Sequence, residues 1–282
     1  MMRRMSRSAR IAILAGTTAA VIGVVFALPR VAQPISYHDF ADQRRLLGVP
    51  NFMDVASNLA FLVAGLYGLR ILGRSRFADT RERLPYAILF AAVIVTCFGS
   101  AYYHLAPNNA TLFWDLPMTL AFMSFLSAVI TERVSVRAGL ALLGPLLAVG
   151  VASLWWWRWT EAAGRGDLRP YLLVQFYPLL AILLLLVLFP PRYTHQWDLL
   201  VIFALYVVAK LFELADRPIF YLCHIVSGHT LKHLAAAVAC FWIARMVSLR
   251  QPLSNHPVSL ATALAAIAAP DGSCAPVERW RR

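Results

Sequence analysis

The sequence predicts an all-α membrane protein, with a core of seven transmembrane helices and one extra helix at the N-terminus. Of the 282 residues, 60% are hydrophobic and 14% are charged, whereas roughly 25% of residues are charged in an average soluble domain. The mean hydropathy is +0.64. The apolar residues also fall in runs of the length that a helix needs to cross a bilayer, about 17–25 residues. Helices are expected because a helix satisfies its own backbone polar groups in lipid.

Eight apolar segments are long enough to be candidate membrane spans. They are 11–29, 53–72, 86–105, 112–130, 137–157, 171–189, 197–214 and 228–247. The first segment follows a basic start and is interpreted as an uncleaved helix, with a signal peptide as the alternative. The predicted organisation is therefore an N-terminal segment 1–30, a seven-helix domain 31–250 and a cytoplasmic tail 251–282.

The distribution of arginines predicts the orientation in the membrane. With the N-terminus inside, the inner segments contain 17 arginines and the outer segments contain 7, which is the bias expected because cytoplasmic loops are enriched in positive charge. This interpretation explains the net charge of +12 without nucleic acid as a partner. Both termini are then cytoplasmic, and the short loops with strong asymmetry suit a bacterial inner membrane.

Three polar clusters interrupt the apolar segments. Ser100 and His104 lie four residues apart at the end of the third segment, so they share one helix face. Asp115 lies at the start of the fourth segment, and His229 and His233 lie four apart at the start of the last. In the predicted topology all three clusters fall in the outer half of the membrane, so these five side chains can converge. Ionisable residues at membrane depth are costly, which makes them candidates for function.

The chemistry of these residue types points to zinc. Catalytic zinc sites typically use three protein ligands and leave the fourth position for water, which the metal activates. We expect zinc on His104, His229 and His233, with Asp115 as a general base and Ser100 as a stabiliser of an oxyanion. Each residue alone has a structural interpretation: interhelical hydrogen bonds for the histidines, a helix N-terminus for the aspartate and close packing for the serine.

The same residues resemble the alkaline ceramidase family, within a superfamily of seven-helix membrane hydrolases that includes the adiponectin-receptor type proteins. The resemblance runs from about residue 37 to 248 and includes FMDVASNLAF (52–61), GSAYYH (99–104), WDLPM (114–118) and SGHTLKH (227–233). It implies zinc on the three histidines, with Asp115 handling the activated water and Ser100 supporting it. The implied reaction is hydrolysis of a ceramide-like membrane lipid to a sphingoid base and a fatty acid.

The segment before the first core helix departs from this family. Animal members carry an acidic calcium site there, and Asp39 and Asp42 can match two of its ligands. Arg44 stands where a neutral ligand is expected, and Asn51 where a glutamate is expected. A calcium site at Asp39, Asp42 and Asn51 is therefore doubtful, and a solvated interfacial loop is the alternative.

Two further acidic residues, Glu213 and Asp216, precede the last segment. Either can orient a zinc histidine, because metal-bound imidazoles usually need a hydrogen-bond partner. An ion pair between Lys210 and Glu213, three residues apart, is the alternative for Glu213.

The sequence thus predicts a zinc-dependent amidohydrolase that acts on a lipid amide. Three alternatives stay open, and the first two are a hydrolase of another lipid amide or ester, and a receptor-like or lipid-binding seven-helix protein with a structural zinc. A haem or transport protein is a third. The oligomeric state is not predicted.

Overall fold

The computed structural model describes residues 5–115 and 117–253, apart from the side chain of Asp115. In this part the chain is helical, and its only β-pairing is two isolated bridges. The helices are α1 (Arg7–Ala27), α2 (Phe52–Ser57), α3 (Leu59–Arg74), α4 (Arg83–Leu105), α5 (Asn109–Leu112), α6 (Pro117–Arg133), α7 (Val136–Ala162), α8 (Arg169–Leu188), α9 (Asp198–Leu214), α10 (Asp216–Cys223) and α11 (Gly228–Leu249). The predicted tail lies outside the described residues, except for its first three positions.

Seven helical stretches of the described residues are long and apolar enough to span a membrane, and the N-terminal helix is one of them. They are Arg7–Ala27, Phe52–Arg74, Thr80–Leu105, Asn109–Arg133, Val136–Ala162, Arg169–Leu188 and Gly228–Leu249. The remaining predicted segment, 197–214, forms α9, whose 17 residues lie at the lower end of the usual span length. The prediction of an all-α membrane protein is confirmed.

The N-terminal helix lies at the edge of the bundle. None of the residues of α1 is buried, and the helix packs along α8. The buried core is built instead from α3, α4, α6, α8, α9 and α11, where Leu89, Phe90, Val129, Leu185 and Val247 are almost inaccessible to solvent. Burial of such side chains stabilises the packing of these helices against one another.

Short helix α2 links the two helices that bear the histidines, because it contacts both α4 and α11. It begins after Asn51, whose backbone is left-handed with φ of 46°, a conformation that asparagine adopts more readily than most residues. Asn58 joins α2 to α3, so both belong to one stretch that is long enough to span a membrane.

Candidate metal centre

His104, His229 and His233 form one buried group, called here the histidine site. His104 lies in the last turn of α4, and the other two lie in the first two turns of α11. The three residues are 1%, 3% and 3% exposed. Their candidate ligand atoms, one from each ring, all lie within 4.8 Å of one another. The group can therefore hold a metal ion.

The hydrogen bonding of the three rings fits metal ligands. Nδ1 of His104 and Nε2 of His229 are buried and have no hydrogen-bond partner among the described residues. Nδ1 of His233 lies 2.8 Å from Ser57 Oγ, which leaves Nε2 for a metal. Buried polar atoms are usually satisfied, so these nitrogens are suited to a ligand. On one tetrahedral zinc ion they would lie about 3.3 Å apart. Imidazoles also suit copper, iron and nickel.

Two features hold the start of α11 at the site. Asp216 accepts hydrogen bonds from the backbone N–H of His229 at 2.7 Å and of Ala41 at 2.8 Å. Gly228 packs so closely on the end of α9 that an added Cβ would fall 2.2 Å from the carbonyl oxygen of Phe212. Asp216 therefore binds the backbone N–H of His229 rather than its ring. Its predicted role in orienting an imidazole ring stays a prediction.

The other predicted catalytic residues come from α4 and the turn before α6. Ser100 lies one turn before His104, is buried, and lines the same cavity as the histidines. Asp115 ends a short 3₁₀ turn, and its side chain lies outside the described structure. The backbone of this turn lies against α4, because a Cβ on Gly99 would fall 2.0 Å from the carbonyl oxygen of Trp114. Glycine at position 99 thus allows the segment that contains Asp115 to pack closely on α4, next to Ser100 in the chain.

An apolar cavity of about 160 Å³ opens at the histidine site. Most of its lining side chains are hydrophobic, among them Leu89, Val93, Ile182, Leu199, Ile202 and Ile243. Ile243 follows His229 by about 21 Å along α11, at about 1.5 Å per residue. The lining therefore extends along much of the bundle, which suits an extended apolar chain.

Glu213 lies beside the cavity, where it binds two lysines. Its Oε1 accepts hydrogen bonds from Lys232 Nζ at 2.7 Å and from the Tyr37 hydroxyl at 3.2 Å, and its Oε2 accepts one from Lys210. Both lysines and Tyr37 line the cavity. The ion pair expected as the alternative for Glu213 is present.

The residues considered for calcium are engaged by other groups. Arg44 binds the buried Asp42 through both carboxylate oxygens, at 2.8 and 2.7 Å, and the hydrogen bonds to Asp42 raise the pKa of Arg44 above its ordinary value. Asp39 forms an ion pair with Arg217. Asn51 donates an amide hydrogen to a backbone carbonyl of α4 at 2.8 Å. Both carboxylates of the expected calcium site are therefore bound by arginines, Asp42 by Arg44 and Asp39 by Arg217.

Sequence reasoning missed Asp54 and Ser57 as residues of the site. Both lie in α2, within the motif FMDVASNLAF, where they were noted only for the family resemblance. Asp54 is fully buried, and Ser57 contacts the ring of His233. Two polar residues three apart in an apolar segment share a helix face, and this signal could have found them.

Comparison with known protein families, curated proteins and solved structures finds no match for the chain. The resemblance to alkaline ceramidases thus stays a prediction that depends on the motifs.

Proposed function

We propose that the protein is a zinc-dependent hydrolase of a lipid amide, with a ceramide-like N-acyl sphingoid as its substrate. The observation that carries the proposal is the buried group of His104, His229 and His233 on the wall of a largely apolar cavity. Cavities of this composition bind apolar ligands and orient them through a few polar groups. An acyl chain in the cavity would bring its polar linkage to the histidines.

The three histidines would hold the ion through Nδ1 of His104, Nε2 of His229 and Nε2 of His233. When bound, zinc supplies a Lewis acid for the carbonyl oxygen and lowers the pKa of a water molecule. Ser100 would donate its hydroxyl hydrogen to the carbonyl oxygen, where negative charge develops during attack. The buried position of Ser100, one turn before His104 on the cavity wall, supports this role.

We assign proton transfer to Asp115. Its carboxylate would accept a proton from the attacking water and pass it to the leaving nitrogen, so that the C–N bond breaks to give an amine and a carboxylic acid. The approach of its backbone to α4 at Gly99 supports the assignment, as does its place in the motif WDLPM. The same arrangement of groups can also hydrolyse an ester. The resemblance of the motifs to those of alkaline ceramidases favours an amide as the bond that is cleaved.

The first test combines metal analysis with a substrate screen on the full chain purified in detergent. We expect about one zinc per chain in the wild type, together with release of fatty acid from an N-acyl sphingoid. His233→Ala should lose both the metal and the activity. His195→Ala is the matched control, because His195 lies in the loop before α9, outside the site, and should retain both. Wild-type protein that takes up no metal would refute the proposal.

A second variant separates the enzyme from a lipid-binding protein with a structural metal. Asp115→Asn should lower turnover by about 10²–10⁴-fold and leave the zinc content unchanged. Wild-type protein that binds zinc but cleaves no lipid amide or ester would favour the receptor-like alternative. Cleavage of esters alone would replace the amide as the substrate class.

We also propose that both termini face the cytoplasm of a bacterium and that the histidine site lies in the outer half of its inner membrane. The arginine distribution supports this orientation. Cys223 is exposed at the end of α10, near the histidine end of α11. A membrane-impermeant thiol reagent added to spheroplasts should label wild-type protein but not Cys223→Ala. Equal labelling of the two in intact spheroplasts, through Cys274 of the tail, would indicate the reverse orientation.

A further inference from the structure

The seven residues from Asn51 to Ser57 contact the surroundings of the histidine site on both of its helices. On the α4 side, Nδ2 of Asn51 donates a hydrogen bond to the backbone carbonyl of His104 at 2.8 Å. On the α11 side, Ser57 Oγ lies 2.8 Å from Nδ1 of His233. This segment is therefore placed to set the relative positions of ligands that come from two different helices.

Asp54 extends these contacts to the residues that flank His229. Its Oδ1 accepts hydrogen bonds from the hydroxyl of Ser227 at 3.1 Å and from the hydroxyl of Thr230 at 2.6 Å. Ser227 is the N-cap of α11, and its side chain accepts a hydrogen bond from the backbone N–H of Thr230. Capping of this kind stabilises the first turn of a helix. Asp54 thus fixes the turn of α11 that presents His229.

The contacts of Ser57 favour one tautomer of His233. Ser57 Oγ also lies 3.1 Å from the backbone carbonyl oxygen of Asp54, and a carbonyl can only accept. A serine hydroxyl has one hydrogen to donate. When that hydrogen goes to the carbonyl, the serine oxygen accepts from Nδ1–H of His233. A neutral imidazole with its proton on Nδ1 has its lone pair on Nε2.

We propose that Ser57 is a positioning residue of the metal centre, which holds His233 in the tautomer and ring orientation that present Nε2 to the ion. This inference rests on the proposed metal site and adds a function for α2. His233 is 3% exposed, so bulk water has little access to Nδ1 as a replacement for the serine. Without the hydroxyl, the ring can rotate and the two tautomers compete, which weakens binding of the metal.

The test is zinc affinity of the detergent-purified full chain, measured by competition with a chelator. We expect Ser57→Ala to bind zinc at least about 10-fold more weakly than the wild type, as is typical when the hydrogen-bond partner of a ligand is removed. Ser153→Ala is the matched control, because Ser153 is a buried serine of α7 whose hydroxyl also donates to the carbonyl three residues earlier. It should bind zinc as the wild type does.

A pair of isosteric variants distinguishes the loss of the hydroxyl from a general defect in folding. Ser57→Thr and Ser57→Val have nearly the same shape and differ in the hydroxyl, so Thr should restore zinc affinity and Val should not. The visible spectrum of the cobalt(II)-loaded protein reports on ligand geometry. We expect the wild-type spectrum in Ser57→Thr and a changed spectrum in Ser57→Val.

The possible outcomes separate this inference from the proposed function. Wild-type zinc affinity in both Ser57→Ala and Ser57→Val would overturn the role of Ser57 and leave the metal site intact. Equal weakening by Thr and Val would overturn it as well, because the loss would then come from packing. Absence of zinc binding in the wild type would overturn both the inference and the proposed function.

Discussion

The two ends of the helical bundle differ in how their buried polar groups are paired. The histidine site lies at the end of α4 and the start of α11. At the other end of these helices lies a cluster of Glu132, Tyr86 and Arg250, called here the ion cluster. Tyr86 and His104 are both on α4, about 27 Å apart along the helix axis.

In the ion cluster the charged groups are paired, although Nε and Nη2 of Arg250 have no hydrogen-bond partner among the described residues. Glu132 Oε1 accepts hydrogen bonds from the Tyr86 hydroxyl at 2.7 Å and from Arg250 Nη1. The guanidinium of Arg250 also lies over the rings of Phe77, Tyr86 and Tyr193, at 4.2 to 5.1 Å from their centroids, a contact that favours a cation. In the histidine site, Nδ1 of His104 and Nε2 of His229 lack a hydrogen-bond partner among the described residues, and the rings make no ion pair with a neighbouring side chain there.

This difference teaches that burial of polar residues in an apolar protein does not by itself identify a functional site. Groups that satisfy one another stabilise or specify the fold, whereas groups left unpaired at a cavity are suited to a ligand. On this basis we expect the ion cluster to stabilise the fold and the histidine site to bind a ligand. Three predictions test the contrast, in order of decreasing effect.

Removal of one partner from the ion cluster should have the largest effect on stability. Glu132→Gln leaves the charge of Arg250 buried and unpaired, which typically costs about 3–5 kcal/mol of unfolding free energy. The measurement is denaturant unfolding in detergent. The double variant Glu132→Gln/Arg250→Gln should cost less than the sum of the single variants, because it leaves no unpaired charge. If the loss of unfolding free energy in the double variant equals the sum of the losses in the single variants, the two residues do not act as a pair.

Metal binding should stabilise the protein through the histidine site alone. At a zinc concentration about 100 times the Kd, the unfolding free energy of the wild type should rise by about 2.7 kcal/mol, because zinc binds the folded state. His104→Ala should show no such increment, while His195→Ala should keep it. An increment that persists in His104→Ala would mean that zinc binds elsewhere.

The smallest effect should come from a polar contact outside the spans, between α7 and α8. Hydrogen bonds from Arg169 lower the pKa of the buried Asp167 carboxyl to about 2, below the ordinary value of about 3.9 in an unfolded chain. Because the folded-state pKa is the lower one, this stabilisation is present above about pH 4 and is lost as the pH falls toward 2.

Asp167→Asn should therefore lower the unfolding free energy by about 1–2 kcal/mol at pH 7. The difference from the wild type should shrink as the pH falls from about 4 to about 2, as measured by unfolding at a series of pH values. A difference that does not depend on pH would show that the contact stabilises the protein through shape rather than charge.

The fold class was predictable from the sequence because hydrophobic run length is a local property. Each predicted segment corresponds to one helix or to a pair of joined helices, and even α9, at 17 residues, was recognised from its apolar run. The convergence of His104 with His229 and His233 was also predictable, because helical spacing set the shared faces and alternating topology set the shared end of the bundle.

The hydrogen-bond partners of the site were not predictable in the same way. The assignment of Asp216 as a residue near a zinc histidine came from its position in the chain, but only the structure shows that it binds the backbone N–H of His229. Ser57 and His233 are 176 residues apart. Their contact depends on how α2 packs against α11, which no local pattern encodes.

By itself, then, the sequence determined that the chain forms apolar helices and that three histidines meet near one end of the bundle, because hydrophobic length and helical periodicity are properties of short segments. Only the tertiary structure decided which buried polar atoms are paired and which are left for a ligand. That outcome depends on contacts of a few ångströms between distant segments, and a difference of one hydrogen bond there separates a structural residue from a metal ligand.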